Sequence, residues 1–221
     1  MGQALQARRL GCQLSAKVPD PRPVALPLAG GEIVTGIEWK ADDTALLFLH
    51  DPDDELALDS WGAWPDRFAQ LGYSVLVVDL PADHAAAAVA TALGYLRHSC
   101  ERRLLVIAAG ATVSMLGEQS ADAFVLVAPR VAGIEPSVLG VTPKLIVAGT
   151  ADPVSYAPVE TFARGCRGWS LLSTFAAENS VEALMEGRHA TQAGSQIASF
   201  LQEHRTATPA AASRSRRRIP R

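Results

Sequence analysis

Six short apolar runs recur along this chain, and they constrain its fold more than any other feature. They read TALLFLH (44–50), SVLVVD (74–79), LLVIA (104–108), AFVLV (123–127), KLIVA (144–148) and LLSTF (171–175). Each is too short for a helix and too uniformly apolar for a strand with one wet face, so each reads as a strand buried on both sides. Helical signals lie between them. Pro65 fits a first helical turn, with Phe68 and Leu71 on one face and Gly72 as the stop. Asp83 can cap a helix bearing Ala86, Val89, Ala90, Leu93 and Leu96 at three- and four-residue spacing. Residues 112–119 and 159–164 suit short helices, the second opened by Pro158. Residues 196–203 suit a closing helix with Ile197, Phe200 and Leu201 inward. Strands alternating with helices imply right-handed βαβ units and a mostly parallel sheet. Ahead of them, residues 24–28 and 32–39 flank Gly30-Gly31, a hairpin turn that adds an antiparallel edge. The expectation is an α/β fold of about eight strands.

Composition bounds the rest. Hydrophobic residues make up 48% of the 221, enough for a sizeable core and incompatible with disorder of the whole chain. The net charge of −3 gives no global field toward nucleic acid. Six arginines and no acid lie in 205–221, so −3 less those six leaves −9 on residues 1–204. The implied organisation is an irregular leader (1–20), one domain (21–204) and a disordered Arg-rich tail (205–221). Through Arg214, Arg216, Arg217 and Arg218 that tail could hold an anionic partner, RNA or a membrane surface, or serve only for solubility. Cys12, Cys100 and Cys166 are too few and too scattered for a disulfide framework or a zinc site. No signal peptide or membrane-length apolar run is present, and Gln6 does not fit a myristoylation signal. A cytoplasmic protein is expected. Gly30-Gly31 lacks the Lys-Ser/Thr of a phosphate loop, and no cofactor is expected.

Ligands of open α/β sheets bind beyond the carboxyl ends of the strands. The residues there are His50-Asp51-Pro52, Asp79-Leu80-Pro81, Ala108-Ala109-Gly110-Ala111-Thr112, Gly149-Thr150-Ala151-Asp152-Pro153 and, further on, Gly187-Arg188-His189. In order and spacing, the blocks LLFLHD, SVLVVDLPADH, RRLLVIAAGAT, KLIVAGTADPV and GRHATQ resemble the α/β-hydrolase family. The resemblance covers about residues 24–204 and implies a three-layer α/β-hydrolase-like sandwich. It implies that Asp152 stands in the acid position and His189 in the base position, where a carboxylate would orient the imidazole. The family's G-x-S-x-G nucleophile elbow maps onto residues 108–112. Gly110 then takes the nucleophile position with no side chain to attack. A glycine does relieve the backbone strain of an elbow.

Two other alignments keep a hydroxyl: Thr112 at the elbow, or Ser114 one turn into the helix. The resemblance also implies one oxyanion donor at the Ala111 N–H. The second would follow the third strand, where Pro52 has no N–H. Losing one such donor costs about 2.7–4 kcal/mol of transition-state stabilisation. Asp51, Asp53, Asp54 and Glu55 crowd the same loop and oppose a developing oxyanion. Their spacing fits no EF-hand, and no metal is expected. Trp61 and Trp64 beside it read as packing residues. Residues 128–143, with Pro129, Pro136 and Pro143, leave no room for a cap domain, so any site is open to water.

Three readings follow. The chain is a degenerate hydrolase-fold protein, a pseudoenzyme with weak or no hydrolysis that at most holds a small acyl-type ligand in an open cleft. Alternatively it is a cap-less ester or thioester hydrolase of the serine/threonine type, using Thr112 or Ser114 with Asp152 and His189. Alternatively it is an interaction module acting through its basic tail.

Overall fold

The computed structural model describes residues 19–41, 44–54, 56–99, 103–118 and 120–206. The expected leader and tail therefore lie largely outside the described residues. Eight strands form one sheet: β1 (Arg22–Pro27), β2 (Ile33–Trp39), β3 (Thr44–Leu49), β4 (Ser74–Val78), β5 (Arg103–Ala109), β6 (Ala123–Val127), β7 (Lys144–Gly149) and β8 (Ser170–Phe175). Five α-helices accompany them: α1 (Trp64–Gln70), α2 (Ala85–Ser99), α3 (Pro153–Gly165), α4 (Val181–Met185) and α5 (Ala190–Thr206). The strand order is β1-β2-β4-β3-β5-β6-β7-β8. β1 and β2 form the expected hairpin, β2 pairs antiparallel with β4, and every later pair is parallel.

Alternation along the central strands divides the core into two layers. Leu47 and Leu49 of β3 belong to one layer, which Ala88 and Val89 of α2 and, towards β7 and β8, Val159 and Phe162 of α3 complete. Leu46 and Phe48 pack with Trp61, Trp64 and Phe68 and with Leu184, Ile197 and Phe200 from α4 and α5. Trp61 is fully buried, edge-on to Phe48 at 5.2 Å between ring centroids. Both tryptophans are core residues. The Trp64 indole N–H donates to the Met185 carbonyl at 2.7 Å and ties α1 to α4.

Several helical details differ from the expectation. The buried face of α2 is Ala85, Ala88, Val89, Ala92, Leu93 and Leu96, whereas Ala86 and Ala90 face solvent. A run of alanines offers almost no polarity contrast, so its phase is hard to read. The stretch expected as a helix over 112–119 is a 3₁₀ turn, Gly110–Met115. The helix expected to open at Pro158 begins at Pro153, with Pro158 inside it. The closing helix starts at Ala190, six residues before the expected start. Arg205, grouped above with the tail, belongs to its last turn and donates to the Leu71 and Gly72 carbonyls at 2.9 and 3.0 Å. Between β6 and β7 the structure has one 3₁₀ turn, Pro136–Leu139. Lys144 at the start of β7 is fully buried, and its ammonium donates to the Gly140 and Arg167 carbonyls at 3.1 and 2.9 Å. Burial pushes its pKa down. Among the described residues no helix is long and apolar enough to cross a membrane.

Candidate functional site

The parallel strands deliver their carboxyl ends to one rim of the sheet, where a cleft of about 220 Å³ opens. It is lined by Asp51, Asp53 and Asp54 after β3, Gly110 after β5, Ala128 and Arg130 after β6, and Asn179, Ser180 and Val181 after β8. The floor is the turn from β5 into the 3₁₀ helix. Gly110 begins that turn at φ +55°, a conformation that L side chains rarely adopt. At this turn the chain has a strained backbone and no side chain to present to the cleft.

The space beside Gly110 is occupied by Asp51. A Cβ built on Gly110 would lie 1.6 Å from Asp51 Oδ2, and its three nearest heavy atoms all belong to Asp51. Three donors hold that carboxylate. The Ala111 N–H donates to Oδ2 at 3.2 Å, and the Asp53 N–H donates to Oδ1 at 3.1 Å. Arg130 Nη2 donates to Asp51 Oδ1 at 2.7 Å and to Asp53 Oδ2 at 2.6 Å. Those two carboxylates raise the pKa of Arg130, with the Asp53 hydrogen bond the largest cause. The Arg130 N–H donates to the Gly110 carbonyl at 3.0 Å, which fixes the end of β6 to the elbow.

His50 holds Asp51 from behind. Its ring is buried (1% exposed), and Nε2 accepts the Leu80 N–H at 3.0 Å. A nitrogen accepting there carries no proton, so the proton sits on Nδ1 and is donated to the Asp51 carbonyl at 2.8 Å. The imidazole is a structural clasp between the ends of β3 and β4. Pro52 occupies the turn that follows, closed by the Asp54 N–H donating to the Asp51 carbonyl at 2.9 Å.

Thr112 is fully buried, and its hydroxyl donates to the Ala109 carbonyl at 2.5 Å. The Ser114 hydroxyl, on the exposed side of the turn, donates to the Ala111 carbonyl at 2.8 Å. Neither residue lines the cleft. Asp152 is the N-cap of α3. Its carboxylate accepts from the Val154 and Ser155 N–H groups and from the Ser155 hydroxyl, the last at 2.8 Å. These bonds, the Ser155 hydroxyl foremost, hold its pKa below the usual carboxylate value. His189 Nε2 accepts from Arg188 Nε at 3.0 Å, and its ring lies 5.4 Å from that of Phe175. The loop that carries Asp152 is laced to the one between β8 and α4, Ala151 N–H to Ala177 carbonyl at 2.9 Å and Gly149 N–H to Asn179 Oδ1 at 3.0 Å, and Arg188, beside His189, donates to the Ala176 carbonyl of that same loop at 2.5 Å. Among the described residues no hydrogen bond or ion pair joins Asp152 to His189. The structure therefore gathers Gly110, Ala111 and Asp51 at the cleft. It leaves Asp152, His189, Thr112 and Ser114 each bonded to its own neighbours.

Arg130, Asn179 and Ser180 line the cleft and were not marked by the sequence. The signal for Arg130 is its place directly beyond the carboxyl end of β6, where the strand-end rule applies as it does elsewhere. Among the described residues no group of three or more His, Cys, Asp or Glu is placed to hold a metal ion.

No protein-family model matches this sequence, and no curated protein matches it. Solved structures do match. An esterase of Pyrococcus furiosus superposes at TM-score 0.66 with 12% identity, covering 83% of this chain and 90% of that one. A dienelactone hydrolase from Anabaena variabilis superposes at 0.66 with 19% identity, covering 85% and 99%. The esterase domain of a Rhodothermus marinus protein superposes at 0.67 with 13% identity, covering 83% and 99%. The chain has the α/β-hydrolase fold, with the mostly parallel eight-stranded sheet and antiparallel N-terminal hairpin expected for it.

Proposed function

We propose that this chain carries the α/β-hydrolase scaffold without its acyl-transfer chemistry, and acts through what its open cleft or surfaces bind. The supporting observation is the Asp51 carboxylate seated beside Gly110. Hydrolysis of this type needs a nucleophilic side chain at the elbow and N–H donors aimed at the developing oxyanion. At Gly110 no atom is available to attack. The Ala111 N–H is already spent on a carboxylate oxygen. A substrate carbonyl approaching that donor would have to displace Asp51 and would meet its negative charge. Pro52 supplies no second donor. An acyl-type ligand could bind there only with Asp51 withdrawn.

The competing reading is a cap-less ester hydrolase using Thr112 or Ser114 with Asp152 and His189. It draws on the activity of the esterases of the same fold. One experiment separates the two: incubation with a fluorophosphonate probe, alongside turnover of short p-nitrophenyl esters. The expected result is no labelled residue and a rate that His189→Ala leaves unchanged. Labelling of Thr112 or Ser114, or ester turnover lost in His189→Ala, overturns the proposal.

A further inference from the structure

The two edges of the sheet are built differently. β1 reads Arg-Pro-Val-Ala-Leu-Pro, and its charge and two prolines keep an outer edge from pairing. β8 reads Ser-Leu-Leu-Ser-Thr-Phe and has neither. The Trp169 carbonyl accepts the Lys144 N–H, and the Phe175 carbonyl accepts the Thr150 N–H, so odd-numbered residues face β7. The two-residue period of a strand then turns the N–H and C=O groups of Ser170, Leu172 and Thr174 outward. Among the described residues no strand pairs with them. Beside this edge, Trp169 and Leu171 are 47% and 48% exposed. They line a groove of about 350 Å³ with Gln196 and Phe200 of α5.

We propose that β8 pairs antiparallel with β8 of a second copy of this chain, about a two-fold axis through Leu172. The outward-facing set is symmetric about that residue, so Ser170 meets Thr174 and Leu172 meets Leu172 with every free donor opposite an acceptor. Charge complementarity selects the same arrangement. Arg167 and Glu178, both exposed, flank the strand. The axis sets Arg167 within one residue of the second copy's Glu178 at both ends of the pair. Leu171 falls opposite the second copy's Ser173, and Trp169 opposite its Phe175, which brings the two grooves together. The contact is isologous and closes on itself, so it makes a dimer and not a filament.

Sedimentation velocity of the full chain over a range of concentrations tests this. A species of twice 23.4 kDa is expected. Leu171→Lys is expected to yield monomer with an unchanged circular-dichroism melt. Arg167→Glu is expected to weaken association by about tenfold, since symmetry counts each pair twice. The double swap Arg167→Glu with Glu178→Arg is expected to restore it. A wild-type monomer throughout, a dimer indifferent to Leu171→Lys, or no restoration by the double swap overturns the proposal. So does dimerisation that appears only when residues 207–221 are removed, which would make that segment the occupant of the groove.

Discussion

Placing a methyl group on Gly110 tests the physical relation between the elbow and Asp51. In Gly110→Ala the new Cβ would stand 1.6 Å from Asp51 Oδ2, so the carboxylate must leave. Its bond to the Ala111 N–H goes with it, about 1.5–3 kcal/mol for a hydrogen bond to a charged group. The ion pair to Arg130 adds only about 0.5 kcal/mol, because that guanidinium is 52% exposed. Alanine held at φ +55° adds about 1 kcal/mol of backbone strain. The single substitution should therefore cost about 3–4 kcal/mol. In an Asp51→Gly background the three nearest atoms are gone, and the same substitution should cost about 1 kcal/mol. The difference, about 2–3 kcal/mol, is a coupling energy read from a double-mutant cycle by urea unfolding. With a slope of about 2 kcal/mol per molar, it appears as a midpoint displacement of about 1–1.5 M. Additivity within about 0.5 kcal/mol would refute the claim that Asp51 occupies the elbow position.

Other consequences can be measured on single variants. Asp152→Ala should lower the melting temperature by uncapping α3, whereas Asp152→Ser, which preserves a capping oxygen, should retain it. Neither change should alter ester turnover. His204 packs on Phe200 and Trp169, and burial lowers its pKa below 6.5. The unfolded chain then binds the proton first, so its contribution is full above pH 6.5 and is lost as pH falls toward the folded pKa. Urea midpoints at pH 7.5 and 5 should differ less in His204→Phe than in the wild type. Gly194→Ala would put a Cβ 1.8 Å from the buried Trp64 ring and should cost about 2–3 kcal/mol in chemical unfolding, as overpacking does.

The central strands were legible because burial on both faces leaves an unmistakable local record: ALLFL in β3 and AFVLV in β6 contain no polar residue, whereas β8, read the same way, is half-buried or exposed along all but its last residue because it is an edge strand. The placing of β4 between β2 and β3 leaves no such record, since it depends on where the crossover through α1 returns. At α3, Pro158 was read as an opening because an interior proline forfeits a hydrogen bond. The true start, Asp152-Pro153, holds both a cap and a proline tolerated in the first turn. That Gly110 has no side chain to present and Pro52 no N–H to donate is plain from their residue types, and their place at a catalytic turn is what the family resemblance implies. Asp51 was read only as one more acid in a crowded loop. That its carboxylate meets Ala111, sixty positions away, depends on the pairing of β3 with β5 and on no local signal. Arg130 escaped for the same reason: its partners lie across the cleft.

The grip of Arg205 fixes the geometry of anything attached beyond it. Its guanidinium binds the Leu71 and Gly72 carbonyls and lies over the Tyr73 ring, 4.7 Å from the centroid, just before β4 begins. α5 starts beside His189 at the cleft end and runs 17 residues, about 25 Å, to this anchor. A fluorophore, affinity handle or immobilising tether joined after Thr206 therefore departs from the pole of the molecule opposite the cleft. A chip-bound sample coupled this way would present Asp51, Gly110 and Arg130 to the flowing solution, facing away from the support.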